Sequence, residues 1–359
     1  MIAHMNQAIS PTMLSADAWS QYRANLPRHL IGLARYMQSR LMHNLIEERG
    51  HSDLALHFEP YLVLAGSDGI RLSELAEALA ISKQAVNQAV NQIERAGYLR
   101  READPEDGRA RRVTLTDDGH RLIAEGAELL QGVEREFIDI AGETSLDKFT
   151  LLLADMHTTM NLPQSAFSAT ARQPTRTSAA LGWLLPRISD GLMQNLMERT
   201  RARGHAGLKM SFGQVLTLMS PEGGRIQEMA RINEVSKQAI SAIASELEDL
   251  GYLQRVPDPD DRRQVILAFT GEGVRLIEDS IESTRALDRD FLDAIGRRRL
   301  ASLKRTAELL YQELGLENEV FGSGKPDIDS LADDLLKQLG IRDARLLAQQ
   351  LKDLTESKK

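Results

Sequence analysis

The sequence ISKQAVNQAVNQIERAGYLRREADPEDGRARRVTLTDDGHRLI occupies residues 81–123. The chain repeats it 154 positions later, without a gap, as VSKQAISAIASELEDLGYLQRVPDPDDRRQVILAFTGEGVRLI at residues 235–277. Of the 43 aligned pairs, 18 are identical. A repeat of this length predicts two copies of one structural unit within the chain.

Within each copy the pattern predicts a helix followed by a β-hairpin. Ser82 is a suitable N-cap for a helix that runs to about Ala96, and Gly97 is a suitable C-terminal stop. The turn sequence DPEDG at 104–108 lies between the short strands 98–101 and 111–115. Upstream we expect a long helix over 18–48, a helix over 54–65, a turn at 66–69 and a short helix capped by Ser73. This order is a helix-turn-helix followed by a wing.

Further helices are predicted after each wing, at about 117–140 and 145–161 and again at 271–295 and 298–315. The second copy begins with a helix over about 181–202, and its wing spans 253–269. We therefore expect a mostly α protein with small β wings, in which two tandem winged helix-turn-helix domains form an intrachain pseudo-dimer. The predicted parts are a first domain at 1–162, a linker at 163–179, a second domain at 180–318 and a helical tail at 319–359.

The composition of the chain excludes several kinds of site and of protein. The 359 residues carry a net charge of −8 and include no cysteine, which excludes disulfides and zinc–thiolate sites. No apolar run approaches the roughly 18 residues of a membrane span, and the N-terminus lacks the pattern of a secretory signal. We expect a cytoplasmic protein without a membrane partner. No nucleophile, metal-protease or phosphate-loop motif appears, so neither an enzyme nor a cofactor is predicted.

The helix after Ser82 has the composition of a DNA-reading helix. Its apolar side (Val86, Val90, Ile93) leaves the opposite, polar side free, and amide side chains on that side suit the edges of adenine. Entry into the major groove by the N-terminal end of this helix assigns DNA contacts to Ser82, Lys83, Gln84, Asn87 and Gln88. A plain amphipathic surface helix is the alternative explanation. The second copy supplies Ser236, Lys237, Gln238 and Ser241.

Each predicted wing carries carboxylates beside arginine. A carboxylate can fix a guanidinium with two hydrogen bonds, and an arginine held in this way suits a narrow minor groove. A solvated loop with a weak surface ion pair is the alternative. The wing residues assigned to DNA are Arg109, Arg111, Arg112, Arg262 and Arg263, and those assigned to wing support are Asp104, Asp107, Asp258 and Asp261.

The same four segments occur in the same order in each copy: SKQAV, GYLRR, DPEDGR and VTLT in the first, and SKQAI, GYLQR, DPDDRR and LAFT in the second. In these segments the chain resembles the MarR (multiple antibiotic resistance regulator) family of winged-helix transcription factors. The resemblance covers roughly residues 20–161 and 175–315. It implies a regulator, often a repressor, of pseudo-palindromic double-stranded DNA sites, whose dimer interface is made by terminal helices. It also makes Arg109 and Arg263 minor-groove arginines supported by Asp107 and Asp261.

The chain departs from that family in two respects. The two copies are fused, so that one chain resembles a whole dimer, with recognition helices expected about 34 Å apart. The copies also differ in charge: the helix and wing carry a net +2 over 82–96 and 100–112, but −2 over 236–250 and 254–266. We therefore expect an asymmetric DNA site with a weaker second half. The leucines of the tail, residues 327–359, are compatible with two oligomeric states: a homodimer formed through the tail, or a monomer that is itself a pseudo-dimer.

Three other features of the sequence bear on ligand, metal and protein binding. The resemblance implies a small aromatic-acid effector, for which Trp19 or Trp183 is a candidate stacking partner, although simple packing explains both. His43, Glu47 and His51 are spaced for metal ligation, but the helix is expected to end near Gly50, so no metal site is predicted. Overall acidity also fits a winged-helix protein-interaction module that has lost DNA binding in one or both heads.

Overall fold

The structure is a computed structural model that describes residues 14–66, 68–79, 81–104, 110–159, 177–221, 223–233, 235–258, 265–319 and 348. It is mostly helical with two small antiparallel sheets, as expected. Within these ranges no helix has the length and apolar character needed to cross a bilayer. The predicted linker core and nearly all of the predicted tail lie outside the described residues.

The first half contains seven α-helices and one sheet among its described residues. The elements are α1 (Ala16–Arg23), α2 (Leu26–His43) with a π-helical turn (Asn44–Glu48), a 3₁₀ turn (Leu56–Phe58), α3 (Glu59–Ala65), β1 (Ile70–Arg71), α4 (Leu72–Ala78), α5 (Lys83–Arg95), β2 (Leu99–Ala103), β3 (Arg111–Leu115), α6 (Asp117–Ala141) and α7 (Glu143–Thr159). The strand order is β1-β3-β2, with Arg101 paired opposite Val113.

The second half repeats this order. Its elements are α8 (Thr177–Ala202), a 3₁₀ turn (Met210–Phe212), α9 (Gly213–Leu216), α10 (Ile226–Ile232), α11 (Lys237–Asp249), β4 (Leu253–Pro257), β5 (Val265–Phe269), α12 (Gly271–Ile295), α13 (Arg297–Glu313) and α14 (Leu316–Glu319). The helix α8 begins at Thr177, earlier than the predicted start at 181. A bridge between Gly224 and Leu267 stands where β1 pairs in the first half.

The prediction of one continuous helix over 18–48 is wrong. Asn25 divides it, because its backbone is extended and its side-chain oxygen accepts a hydrogen bond from the Arg28 backbone at 3.0 Å, which caps α2. The same side chain donates to the carbonyls of Gln21 and Tyr22 at the end of α1. Pro27 then lies in the first turn of α2, where a missing N–H costs nothing. As a result, the axis of α1 does not have to continue the axis of α2.

The predicted cap of α4 is also corrected. Ser73 lies inside the first turn, and Arg71 is the N-cap residue. Arg71 belongs to β1 and has the extended backbone that a cap position requires, while the Glu74 carboxylate accepts a hydrogen bond from its backbone N–H at 3.0 Å. Leu75, Ala76 and Leu79 are buried, as the spacing predicts.

Close packing at the base of the wing explains several identities in the repeat. The Thr116 hydroxyl accepts a hydrogen bond from the Gly119 backbone at 3.0 Å and donates to the Gly97 carbonyl at 2.6 Å. A Cβ atom on Gly119 would lie 2.2 Å from the Tyr98 carbonyl oxygen, so only glycine fits. Gly273 meets Tyr252 in the same way, at 2.1 Å. The first turn of each long helix therefore crosses directly over the end of the recognition helix.

The two halves share one central core. Helix α2 packs along α8, α7 packs on α8, and α13 packs on both α2 and α7. These contacts bury Leu30 and Leu33 of α2 and Leu184 and Ile188 of α8 completely. The helices that begin and end each copy thus form the intrachain pseudo-dimer interface.

The heads differ in how they join this core. The first head, which contains Val86, Val90 and Ile93 of α5, has a separate hydrophobic core. The corresponding Ile240, Ala244 and Leu247 of α11 belong to the central core. Trp19 contributes to the connection, since its ring lies 6.3 Å from that of Phe269 on β5. The first head is therefore a distinct packing unit, and the second head is continuous with the body.

Candidate DNA-binding surface and adjoining cavity

The polar face of α5 is open to solvent. The Ser82 side chain caps the helix by accepting a hydrogen bond from the Ala85 backbone at 3.1 Å. The apolar face of α5 is fully buried, and this burial fixes the direction of the polar face. The exposed side chains on that face are Ser82, Lys83, Gln84, Asn87, Gln88, Asn91, Gln92 and Arg95. Six hydrogen-bonding side chains and two cations thus form a continuous surface.

Three of the amides are already engaged within the protein, and one of them is Gln92, whose Oε1 atom lies 3.1 Å from the His57 Nε2 atom. The Asn87 amide nitrogen donates to the Lys83 carbonyl at 2.9 Å, so it is not free for a bidentate contact with adenine in this conformation. Asn91 is different, because its Oδ1 accepts a hydrogen bond from Arg101 at 2.8 Å. This contact leaves the Asn91 amide nitrogen as the outward-facing donor.

Arg101 is a connecting residue that the sequence analysis did not single out. It lies on β2, forms an ion pair with Glu94 on α5, and also contacts Asn87. Arg255 repeats this position on β4, where it pairs with Glu248 and contacts the hydroxyls of Ser241 and Ser245. In each head one arginine therefore joins the wing to the recognition helix. The recurring arginine in GYLRR and GYLQR was the available sequence signal.

A second arginine holds the other end of each wing strand. Arg71 donates from Nε and Nη2 to the two carboxylate oxygens of Asp104, at 2.6 and 2.9 Å. Arg225 binds Asp258 in the same way, at 2.7 and 3.2 Å. Both aspartates are almost completely buried. These bidentate pairs tie the residue before the short helix of each head to the end of the first wing strand.

The predicted wing arginines have different surroundings. Arg111 is exposed at the end of β3. Arg112 is half-buried and donates from Nη2 to the Gly69 carbonyl at 3.1 Å, so its guanidinium faces the turn before β1. The predicted residues Asp107, Arg109, Asp261, Arg262 and Arg263 lie outside the described residues.

The recognition helix of the second head presents a less favourable surface for DNA. Ser236 caps α11, and Lys237 and Gln238 are exposed next to it. Further along, Ser241, Ala242, Ser245, Glu246 and Asp249 occupy the positions of Asn87, Gln88, Asn91, Gln92 and Arg95. Glu246 forms an ion pair with Lys209. Amides and a cation are thus replaced by small and acidic side chains, which reduces phosphate attraction.

A cavity of about 280 Å³ lies between the first head and the central helices. Helices α2, α3, α6 and α8 contribute to its wall. The lining is apolar except for Gln38 and Glu59, and includes Met37, Leu41, Leu45, Leu62, Val63, Leu122, Ile123, Gly126, Leu130, Gly182 and Pro186. The cavity therefore separates the distinct core of the first head from the body.

A buried cation lies beside one wall of this cavity. The Arg187 Nη2 atom is 3.9 Å from a carboxylate oxygen of Glu59, and the guanidinium carbon lies 4.7 Å from the Trp183 ring centroid. Burial lowers the pKa of Arg187. The Nε atom of Arg187 and the Nε1 atom of Trp183 are buried donors without a hydrogen-bond partner. These two donors lie next to the cavity wall, because the neighbouring residues Gly182 and Pro186 line it.

The two tryptophans have different roles. Trp183 stacks with Arg187 next to the cavity, whereas Trp19 packs against Tyr22 and Phe269 in the second half.

The His51 ring binds Glu125 at 2.9 Å, and the described residues contain no group of three side chains placed to hold a metal ion.

Comparison with known proteins finds similarity in both copies of the repeated unit. The sequence model of the MarR family matches this chain twice, at residues 62–110 and 215–264. The transcriptional regulator HosA of Escherichia coli O111:H- is 33% identical over 81 residues, which are 22% of this chain and 60% of that regulator. HosA of Escherichia coli O157:H7 is 29% identical over 96 residues, 27% of this chain and 71% of the regulator. The first alignment thus spans less than two thirds of the relative.

Solved structures that match part of this chain include CouR from Rhodococcus jostii RHA1 bound to p-coumaroyl-CoA. It is 23% identical, and the match covers 42% of this chain and 99% of CouR with a TM-score of 0.32. The transcriptional regulator Tm0710 from Thermotoga maritima is 23% identical, with 38% of this chain and 96% of that protein covered and a TM-score of 0.28.

Proposed function

We propose that this chain, which carries two MarR family units in tandem, is a double-stranded DNA-binding transcriptional regulator that acts as a repressor. The observation that carries the proposal is the open polar face of α5. Ser82 caps this helix, the buried apolar face sets its orientation, and Arg101 joins it to the wing. A second unit of the same design is held to the first through a shared core. One chain thus presents the pair of heads that a dimer presents by association.

The proposed DNA site is asymmetric. The α5 head supplies the amides and Lys83, Arg95 and Arg111, and we assign Arg109 to the minor groove beside it. The α11 head makes fewer phosphate contacts, because Glu246 and Asp249 repel the backbone. A protein that covers such a site at a promoter would block transcription by occlusion.

The decisive experiment is selection of bound fragments from a random duplex library by the full chain, followed by gel-shift titration of the selected site. We expect a specific site and a steep loss of affinity as salt rises, because phosphate contacts release counterions. Arg109→Ala should impair binding more than Arg263→Ala. Absence of binding to any duplex at low salt contradicts the function, whereas equal losses in the two variants contradict only the asymmetry.

We further propose that the cavity beside the first head binds an effector with an apolar body, a small aromatic acid in particular. Its carboxylate would bind the buried donors, Nε of Arg187 and Nε1 of Trp183, and would displace Glu59 from the Arg187 guanidinium. A ligand in this position contacts both the separate first head and the body, so it favours one orientation of that head over others.

A panel of benzoate and cinnamate derivatives tests the effector proposal by isothermal titration. Glu59→Gln should tighten the binding of an acid, because the competing carboxylate is removed, and Arg187→Met should weaken it. Unchanged affinity in both variants would exclude this acid-binding mode, and DNA binding would remain a separate question.

A further inference from the structure

The repeat identifies the part of the second half that corresponds to the cavity. The offset of 154 is exact in this region, since His51 binds Glu125 and His205 binds Asp279 at equivalent positions. The lining residues Leu62 and Val63 correspond to Leu216 and Thr217. The α6 lining residues Leu122, Ile123, Gly126 and Leu130 correspond to Leu276, Ile277, Ser280 and Thr284 of α12.

Helix α1 lies against this corresponding surface. It packs on α12, where Gln21 accepts a hydrogen bond from Arg285. The Tyr22 hydroxyl donates to the Leu216 carbonyl at 3.5 Å. The Trp19 ring reaches Phe269 on β5, so α1 bridges the body and the second head.

Burial shows the effect of this contact. Ile123 in the first half is 38% exposed, whereas the corresponding Ile277 is 1% exposed. The core of the second head is also continuous with the central core, whereas a cavity separates the first head from the body. Trp19 belongs to the same core as Ile277, and Tyr22 packs against that core, so α1 contributes apolar groups to a region of the second half that the described residues leave open in the first.

Buried charge holds this end of the chain in place. Arg28, at the start of α2, donates to both carboxylate oxygens of Glu317, at 3.0 and 2.8 Å, and to the Thr217 carbonyl at 3.5 Å. Arg23, the last residue of α1, donates to the same carboxylate at 2.6 Å. The end of α1 is therefore attached to α14 as well as to the second head.

We propose that α1 is a built-in occupant of a latent second ligand cavity, with Trp19 and Tyr22 in place of an apolar aromatic ligand. The inference rests on the proposed effector function of the first cavity. It follows that one chain binds one effector, that the effector acts on the first head, and that the second head is held permanently in the orientation set by α1. Removal of the two aromatic side chains should open a second cavity for ligands of the same apolar class.

The stoichiometry of an apolar fluorescent probe, anilinonaphthalene sulfonate, tests this proposal in the full chain. We expect one bound probe for the wild type and two for Trp19→Ala/Tyr22→Ala. Gly126→Leu should abolish the first site, because a Cβ at this lining position meets nothing within 4 Å and the added side chain extends into the cavity. Gly132→Leu is the matched control, since it makes the same change in open space on the same helix without lining the cavity.

Addition of Trp19→Ala/Tyr22→Ala to Gly126→Leu should restore one site, now in the second half. The inference is overturned if the folded aromatic double variant still binds one probe, or if the wild type binds two. A wild type that binds no probe overturns both the effector cavity and the inference.

A second measurement does not depend on the stability of the double variant. Trp183→Phe leaves Trp19 as the sole tryptophan, since the chain has two. We expect Trp19 fluorescence to be protected from acrylamide, and full quenching would overturn the occupancy of the second half by α1. Gel shifts on the same samples separate the occupancy by α1 from the proposed DNA binding. If the double variant gains a probe site but no protein binds any duplex, the proposed DNA-binding function is refuted and the inference about α1 is retained.

Discussion

The guanidinium of Arg71 binds both oxygens of the Asp104 carboxylate, and Asp104 is nearly inaccessible to solvent. Through this pair, the residue that caps α4 is fixed to the end of the first wing strand. The wing is thereby oriented by the helix-turn-helix itself. Arg225 and Asp258 repeat the arrangement in the second head.

Replacement of Asp104 by Asn should destabilise the first head by about 2 kcal/mol, because a partly buried guanidinium loses its charged partner. Asp258→Asn should cost less, since the Arg225 side chain is 46% exposed compared with 32% for Arg71. Urea unfolding of both variants measures the difference. A loss well below that value for Asp104→Asn would contradict a structural role for the pair.

Asn91→Ser should relax base preference at one position of the DNA site by about 0.5–1.5 kcal/mol, because one outward amide donor is removed. The change copies Ser245 of the second head. The reciprocal Ser245→Asn should add preference in the other half-site, since Arg255 is placed to orient the new amide as Arg101 orients Asn91. Selected-site sequencing of both variants is the measurement. An unchanged preference in Asn91→Ser would show that Asn91 does not contact a base.

Asp249→Arg should strengthen DNA binding, because it gives the second head the cation that Arg95 provides in the first. If the new guanidinium meets a phosphate, the slope of log affinity against log salt should become steeper by about 1. Arg95→Asp is the reciprocal variant and should make the slope shallower. Equal slopes for all three proteins would place both positions away from the DNA backbone.

Acid should weaken the attachment of α1 and α2 to α14. Burial alone would raise the pKa of Glu317, but the hydrogen bonds and charge of Arg28, with help from Tyr311 and Arg23, lower it from 4.5 to about 2. A lowered carboxyl pKa stabilises the folded state above pH 4.5, and this stability is lost as pH falls from 4.5 towards 2.

The contribution of Glu317 at neutral pH should be roughly 2 kcal/mol, since the carboxylate is largely buried. Glu317→Gln should lose this stability at pH 7 and should show a smaller decline between pH 4.5 and 2. Urea midpoints across that range measure both effects. The decline between pH 6.5 and 4 should remain in this variant, because burial lowers the pKa of His29 from 6.5 to about 4. A wild type whose stability does not change below pH 4.5 would contradict the role of Glu317.

The repeat alone predicted the elements of each head, because their signals are local. Ser82 and Ser236 cap their helices through contacts three residues away, Gly97 and Gly251 take positive φ, and apolar residues recur at helical spacing. These features depend on backbone geometry within a few residues, so sequence is sufficient to predict them. The polar face of α5 follows from the same spacing, while the roles assigned to individual DNA-contacting residues remain predictions.

The tertiary structure decided what depends on distant partners. Asn25 breaks the first helix, and α1 packs on α12, where Gln21 and its partner Arg285 are 264 residues apart in sequence. Arg71 and Asp104 meet only because β1 and β2 join the same sheet, and Ile123 and Ile277 differ in burial although each ends the same triplet, RLI. Local patterns encode which face of a helix is apolar, but they do not encode which element covers that face. That choice follows from how the fused halves fill a shared core, and here it closes one cavity and leaves the other open.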